Sequence, residues 1–367
     1  MKTHGTVVLV TGASGFLGQH VVKMLQTRAD HVQEIRIVDV VPFINKLDYR
    51  EEKPVQVTVG SIADAQWLYE VCRGVDCVMH LASCIDISLF PNKEKSYKIN
   101  VDGTRNIVDA CRKCNVPRLI YCSSIEVVRG KDHIYNGTEN NTSPPDHFLF
   151  KVYGYTKKQA EDLVIQANCP KLSTICLRPS SMYGELEPRL IQNVAGSWLG
   201  RKTRYFMTVN CGNVQADQSY VGNCAWAFVC ADRTLQKSRS NSAAGNAYFI
   251  RDDTPHANIT ELIVPIAEEA GFKHVPLQIP VWLLAFVVFL TYHILKIVSV
   301  VYPVNLQIGT DAVYSLKKVC HLSYNKARQL LDYHPIYNFQ ETKRFTAAYL
   351  TKIKNEYSNQ CSEGKNT

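Results

Sequence analysis

The chain has 367 residues, 46% of them hydrophobic and 20% charged; this excludes a disordered chain and supplies a sizeable core, or about two domains. Nineteen glycines and fifteen prolines fall without a period, which excludes collagen-like, low-complexity and solenoid arrays. The formal net charge is +8, but without zinc-finger spacing or a run of five basic residues it suits anionic lipid or an anionic cofactor better than nucleic acid.

Thirteen cysteines, several inside apolar runs (Cys77, Cys122, Cys176), read as buried reduced thiols in a reducing compartment. The first apolar run, Val7 to Val10, is too short for the core of a signal peptide and leads straight into a glycine loop. Over the first 180 residues, short apolar runs alternate with helical patterns. The predicted strands are 6–11, 35–39, 55–59, 76–81, 118–123 and 173–178, and their near-continuous apolar character suits strands covered on both faces. Helical patterns fall at 16–27, 65–72, 101–113 and 156–167; on the first, Leu17, Val21, Val22 and Leu25 share one face. This series predicts an α/β fold, a doubly wound parallel sheet of the Rossmann type. Residues 132–146 are polar and read as a surface loop, whose sequons at Asn136 and Asn141 are expected to be unused.

Beyond Pro179 the pattern becomes irregular and predicts a smaller, mostly helical C-terminal substrate lobe. The expected division is a cofactor domain at 1–185 to which 215–250 returns, a lobe at 186–214 and 251–357, and a tail at 358–367. From His274 to Leu295 there is no Asp, Glu, Lys or Arg, and only Lys296 interrupts up to Thr310. A bilayer-crossing helix needs about 20 predominantly apolar residues. Residues 280–303 are therefore expected to meet membrane lipid, either spanning or lying in the interface, with His293 and Lys296 snorkelling or facing protein.

Gly12, Gly15 and Gly18 form a GxxGxxG loop between the first strand and the first helix. Gly12 allows a tight turn, Gly15 lets the backbone approach a pyrophosphate at the helix N-terminus, and Gly18 lets helix and strand pack closely. Asp39 closes the second strand 21 residues after Gly18 without a basic residue following it. A carboxylate there accepts hydrogen bonds from the ribose of NAD and repels the phosphate of NADP, so NAD is the expected cofactor.

Tyr153 and Lys157 are spaced four apart, which on a helix places them on one face. A phenol has a pKa near 10. A neighbouring ammonium is expected to lower it toward neutrality and make Tyr153 a general base, while Lys157 also reaches a cofactor ribose. Ser123-Ser124 end the fifth predicted strand, at the edge where α/β sites form, and Ser124 is the chosen partner for a substrate oxygen. Tyr155 has Gln159 four residues on and lacks the lysine.

With these motifs the chain resembles the extended short-chain dehydrogenase/reductases, and more narrowly the 3β-hydroxysteroid dehydrogenase/Δ5-Δ4 isomerase family. The wider resemblance also rests on His80-Leu81-Ala82-Ser83, Asn100-Val101-Asp102-Gly103-Thr104 and the segment from Leu177 to Glu185. The narrower one rests on Tyr220 to Trp226, Asp252-Asp253-Thr254-Pro255-His256, Leu322 to Arg328, Tyr333 to Tyr337 and the apolar segment. The resemblance implies NAD-dependent oxidation of a 3β-hydroxyl on a steroid or sterol. It also implies the endoplasmic reticulum membrane, or a mitochondrial one, with the catalytic domain in the cytoplasm, and a homodimer. It assigns Ser124 to polarising the hydroxyl, Tyr153 to the base, Lys157 to its partner and ribose ligand, and Asn100 to a proton relay. Phe16, Leu17, Asp39, Ile62, Leu81, Ala82, Ser83 and Pro179 join the glycines around the cofactor. Where the family carries Gly-Asp after the third strand, this chain has Gly60-Ser61, so a hydroxyl stands in for the carboxylate.

Three other readings compete. A 3β-hydroxysteroid-4α-carboxylate dehydrogenase would need a cation for the carboxylate, with Arg189 and Arg204 as candidates. A flavonoid- or sugar-type reductase suits the apolar segment poorly, and a non-catalytic scaffold would have lost Tyr153 or Lys157. For isomerisation, Asp253 is the candidate acid/base, on the premise of an apolar site that raises its pKa; turn formation and helix capping is the competing role of Asp252-Asp253.

Overall fold

The computed structural model describes residues 5–197, 203–237, 242–298 and 309–363. Seven strands make one parallel sheet: β1 (Thr6–Thr11), β2 (Val32–Asp39), β3 (Val55–Val59), β4 (Cys77–His80), β5 (Arg118–Cys122), β6 (Ser173–Pro179) and β7 (Asn246–Ile250). Their order is β7-β6-β5-β4-β1-β2-β3. The central strands carry the longest apolar runs because both their faces are covered; β4 and β6 are buried at every residue. The edge strand β3 alternates toward solvent and leaves Val57 and Val59 exposed.

Helix α1 (Phe16–Arg28) packs on one face of the sheet against α5 (Val221–Lys237). On the other face lie α2 (Ala65–Val71), α3 (Gly103–Lys113) and α4 (Lys151–Gln166). The α1–α5 core runs on without a break into the C-terminal lobe, formed by α6 (Ile259–Glu269), α7 (Val281–Val298), α8 (Asn325–Leu331) and α9 (Phe339–Glu363). Among the described residues every cysteine with described surroundings is a free thiol, and α7 is the one helix long and apolar enough to cross a membrane. Most of α7 faces outward, including Trp282, Phe286 and Ile297. Of the expected segment 280–303, the last five residues lie outside the described residues, as do parts of the lobe and tail boundaries.

Two local expectations are corrected. The polar loop 132–146 contains a short strand, Ile134–Gly137, that pairs with Cys320–Leu322. Its partner lies far away in sequence, so local composition does not reveal it. Helix α4 begins at Lys151, five residues before the expected 156. Gly154 reads as a helix weakener, yet a Cβ there would meet Phe148 Cβ at 2.9 Å and the Glu126 carbonyl at 3.0 Å. The glycine is what lets the first turn lie this close to the segment after β5.

A buried ion pair fixes α5 to the sheet. Asp232, whose side chain has no solvent exposure, accepts from Arg118 Nε at 2.7 Å and meets His31 Nε2 at 2.9 Å. Burial alone would raise the Asp232 carboxyl, but the His31 hydrogen bond and the Arg118 charge outweigh it and hold it below the ordinary carboxylate value. Replacing Asp232 with Asn leaves Arg118 buried without its counter-charge, at a cost of about 3–5 kcal/mol. A native pKa below the unfolded one adds stability that is complete above about pH 5 and is lost as pH falls through the native value. Urea unfolding should therefore show the full deficit of Asp232→Asn at pH 7, and the gap should close toward pH 3. Equal stability at neutral pH would contradict the pairing.

Candidate active site

Each expected site residue lies at or beside the carboxyl ends of the strands. At the end of β1 the loop turns at Gly12, with φ of 73°, and a Cβ there would strike Ala82 N at 2.6 Å. At Gly18 a Cβ would meet the Gly12 carbonyl at 2.2 Å, so α1 can begin this close to the strand only with glycine. The N-terminus of α1 carries no side-chain cap, leaving its first amides for an anion. Phe16 and the buried Leu17 open the helix, and Phe16 stacks edge-on against His20. Asp39 Oδ2 accepts from Ser14 N at 2.9 Å, so the carboxylate is pinned to the loop with its other oxygen on the Val41 side. These close approaches make a cradle that fits a dinucleotide.

The floor of the cradle is a relay of buried polar groups. Ala82 N donates to Thr11 Oγ1 at 3.2 Å and Leu81 N to the Thr11 carbonyl at 3.1 Å. Thr11 Oγ1 meets His80 Nδ1 at 2.8 Å, and His80 Nε2 meets Thr104 Oγ1 at 3.0 Å. Thr104 donates its hydroxyl proton to the Asn100 carbonyl at 2.7 Å, so it accepts from His80, whose proton therefore sits on Nε2. Burial, then the charge of Lys157, brings the His80 pKa down to about 3, which keeps the ring neutral. In the sequence His80 carries one signal, its place at the head of His80-Leu81-Ala82-Ser83 at a strand end.

Further along, Ser61 Oγ accepts from Ala63 N at 3.2 Å, and Ile62 is buried against the start of α3, where Gly103 leaves room for it. Pro179 ends β6 beside Ile250. Asn100 lies in a π-helical turn, Lys98–Asp102, and is buried. Its Oδ1 accepts from Cys84 N at 2.7 Å and Ser83 Oγ at 3.2 Å, and its Nδ2 donates to Cys84 O and Thr156 Oγ1, each at 3.0 Å. Both donors and both acceptor positions are thereby used, so here Asn100 ties the segment after β4 to α4.

Tyr153 and Lys157 stand on α4, and the Ser124 side chain is close enough to act on the Tyr153 phenol. Ser124 also caps the turn that follows β5, accepting from Glu126 N at 3.2 Å. The neighbouring Ser123 faces elsewhere: its Oγ donates to Glu161 Oε2 at 2.7 Å. Glu161 in turn receives Arg178 through two bonds of 2.7 Å, from Nε and from Nη2. The expected lowering of the Tyr153 phenol by Lys157 is not found. Burial pushes that phenol up, and the nearby Ser124 hydroxyl and Arg189 charge only partly offset it. Lys157 Nζ instead donates to the Cys122 carbonyl at 2.6 Å and lies 4.3 Å from the centre of the Tyr121 ring. Burial brings its pKa down to about 8.

Asp253 does not have the expected apolar surroundings. It is exposed and accepts from Tyr324 Oη at 2.6 Å. The buried carboxyl is Asp252, raised by burial. It accepts from Tyr220 N, Asn223 Nδ2 and Thr254 N at 2.9, 2.8 and 3.0 Å, which makes it the organiser of the turn. Of the two expected carboxylate cations, Arg189 acts on Tyr153 by its charge, whereas Arg204 lies beside Lys273, its carbonyl accepting from Lys273 N at 2.7 Å.

Comparison with known proteins is consistent with this geometry. Residues 9–281 match the profile of the 3-beta hydroxysteroid dehydrogenase/isomerase family. The fold is similar to that of the UDP-glucuronic acid 4-epimerase from Bacillus cereus, solved in complex with NAD (18% identity, 95% of this chain and 100% of that one, TM-score 0.68). It is also similar to DesIV, a dTDP-glucose 4,6-dehydratase from Streptomyces venezuelae with NAD bound (17% identity, 95% and 98%, TM-score 0.68). A third similar fold is the epimerase Mth375 from Methanothermobacter thermautotrophicus (20% identity, 97% and 95%, TM-score 0.69).

The lowered Lys157 pKa is directly measurable. With isotope-labelled lysine, one side-chain resonance, identified by its loss in Lys157→Arg, should titrate near pH 8. Because the unfolded lysine holds its proton to about pH 10.4, this group's contribution to stability rises with pH between about 8 and 10. A Lys157 resonance titrating with the surface lysines would mean that the ammonium is hydrated.

Proposed function

The chain belongs to the 3-beta hydroxysteroid dehydrogenase/isomerase family, and on that premise we propose that it oxidises the 3β-hydroxyl of a steroid or sterol to the ketone with NAD. The observation that carries this is the grouping of Tyr153 with Ser124, close enough to act on its phenol, and with a buried Lys157 one helical turn away. NAD, when bound, accepts the hydride. The chain supplies everything else. The amides opening α1 and the close turn at Gly12 hold a pyrophosphate, and Asp39 holds the adenine ribose and disfavours a phosphate there. Ser124 donates to the substrate oxygen. Tyr153, as the phenolate, takes the hydroxyl proton as hydride leaves carbon and becomes the neutral phenol, while Lys157, one turn away on α4, is placed to reach the cofactor ribose. Neutral His80 and Asn100 hold the cradle and the catalytic helix in register without taking protons themselves. The exposed apolar helix α7 supports a membrane location and a lipid-borne substrate.

A second reading has one specific support. Arg189 is close enough to Tyr153 for its charge to act on the phenol. A guanidinium there suits a substrate with a carboxylate next to the reacting hydroxyl, as in a 4α-carboxysterol. Isomerisation from Δ5 to Δ4 is not part of the proposal, since Asp253 is exposed and bonded to Tyr324.

The test is NADH formation by purified protein in detergent, against a panel of 3β-hydroxysteroids, sterols and 4-carboxysterols. NAD should give the higher kcat/KM; equal or better turnover with NADP would remove the role of Asp39. Tyr153→Phe should lower kcat by about 10²–10⁴-fold while NAD still binds. Near-normal turnover in that variant would overturn the assignment. If only 4-carboxysterols react, and Arg189→Ala abolishes the reaction, the second reading replaces the first.

A further inference from the structure

We infer that α7 does not cross the bilayer: it lies along the surface of the catalytic body and seats its outer face in a single leaflet. This rests on the membrane reading above and adds to it the mode of attachment.

The first argument is topological. Chain on both sides of α7 is woven into one body. Asn223, before the helix, donates to Tyr337 O at 2.9 Å and accepts from Ile336 N and Tyr337 N at 3.0 Å. Asp217 accepts from Leu322 N at 2.6 Å, and Tyr183 Oη bonds Thr342 Oγ1 at 2.8 Å. The strand Cys320–Leu322 pairs with Ile134–Gly137, and α9 packs on α6. A single crossing would put these partners on opposite sides of about 30 Å of hydrocarbon. A second crossing is needed to bring the chain back. Residues 299–308 could supply only about 15 Å of helix, and extended backbone is not tolerated against lipid.

The second argument is the helix surface. Val281, Leu284, Val288, Tyr292 and Leu295 are all at least half-covered, at the spacing of one helical face. Tyr292 stacks on Phe90 of the body with ring centres 5.5 Å apart, and the short helix Thr310–Ser315 packs along α7. Tyr292 is 11 residues from the start of α7, about 16 Å along it. A spanning helix would be near mid-bilayer by then and could not touch the body. The opposite face holds Trp282, Phe286, Phe289, Leu290, Ile294 and Ile297, each 44–76% exposed. Water does not suit so large an apolar face.

The third observation is what lies at the root. Two short strand pairs set residues 205–206 beside 273–274 and 209–210 beside 279–280. On and between them Tyr205, Met207 and Leu277 are exposed, with the exposed cations Arg204 and Lys273 in the same segments. Aromatic and apolar side chains beside cations match the headgroup layer of an anionic leaflet.

The test uses the full chain with one epitope at each end, in sealed microsomes treated with protease without detergent. Both epitopes should be cleaved together or protected together. One cleaved and one protected would overturn the inference and leave the membrane reading intact. Recovery of the protein entirely in the detergent-free supernatant would overturn both. As a second measure, Phe286→Asp combined with Leu290→Asp should lower the membrane-bound to free ratio at least about tenfold, with the melting temperature and NAD affinity unchanged. Undiminished membrane binding of this folded variant would overturn the seating of that face in lipid.

Discussion

A carboxylate without access to water, Glu161, holds the helix that carries Tyr153 and Lys157 to the sheet. It lies on α4 and is met on one side by the two-pronged Arg178 of β6 and on the other by the hydroxyl of Ser123 at the end of β5. A buried ion pair of this kind contributes little net stability, because desolvation cancels most of the attraction. Its geometry is what matters: planar guanidinium and planar carboxylate fix the rotation of α4 about its axis. Glu161 is one turn beyond Lys157 and two beyond Tyr153 on the same face, so that rotation sets where the phenol and ammonium point.

The two adjacent serines show how this constraint divides labour. Successive residues of an extended segment point in opposite directions. Ser123 turns toward Glu161 and the interior, which leaves Ser124 on the side of Tyr153. On the other side of the site, Asn100 binds the backbone of Cys84 and reaches Thr156 on α4. The helix is thus held from both flanks by groups with fixed hydrogen-bond valence. A neutral His80 continues the same network under the glycine loop, where a charged ring would lie close to Lys157.

What could be read from the sequence was what depends on short spacing. The glycine loop, Asp39 at a strand end and the Tyr153–Lys157 pair are local patterns with a fixed geometric meaning, and the apolar runs predicted the parallel sheet. The strand at 134–137 could not be read, because its partner is nearly 190 residues away. Nor could the electrostatics of Tyr153, since burial depends on everything that packs around the phenol. Asp252 and Asp253 are indistinguishable as letters; only the folded turn decides that one is enclosed by three donors and the other meets water. Helix α4 also starts before the expected 156, and Gly154 in its first turn permits a close contact with Phe148 and the Glu126 carbonyl.

The interlacing of chain from before and after α7 also has a consequence for how the protein is made. Synthesis runs from the N-terminus, and domains generally fold in that order. Here the body cannot close when its first 280 residues have emerged, because Asn223, Tyr183 and the strand at 134–137 still lack partners at 320–342. The apolar helix leaves the ribosome in that interval, fully exposed and ahead of the segment that completes its seat. Contacts this distant in sequence close slowly. The nascent chain therefore passes through a stage at which its most apolar helix is finished and its fold is not, and productive assembly depends on that helix being shielded until the C-terminal segment arrives.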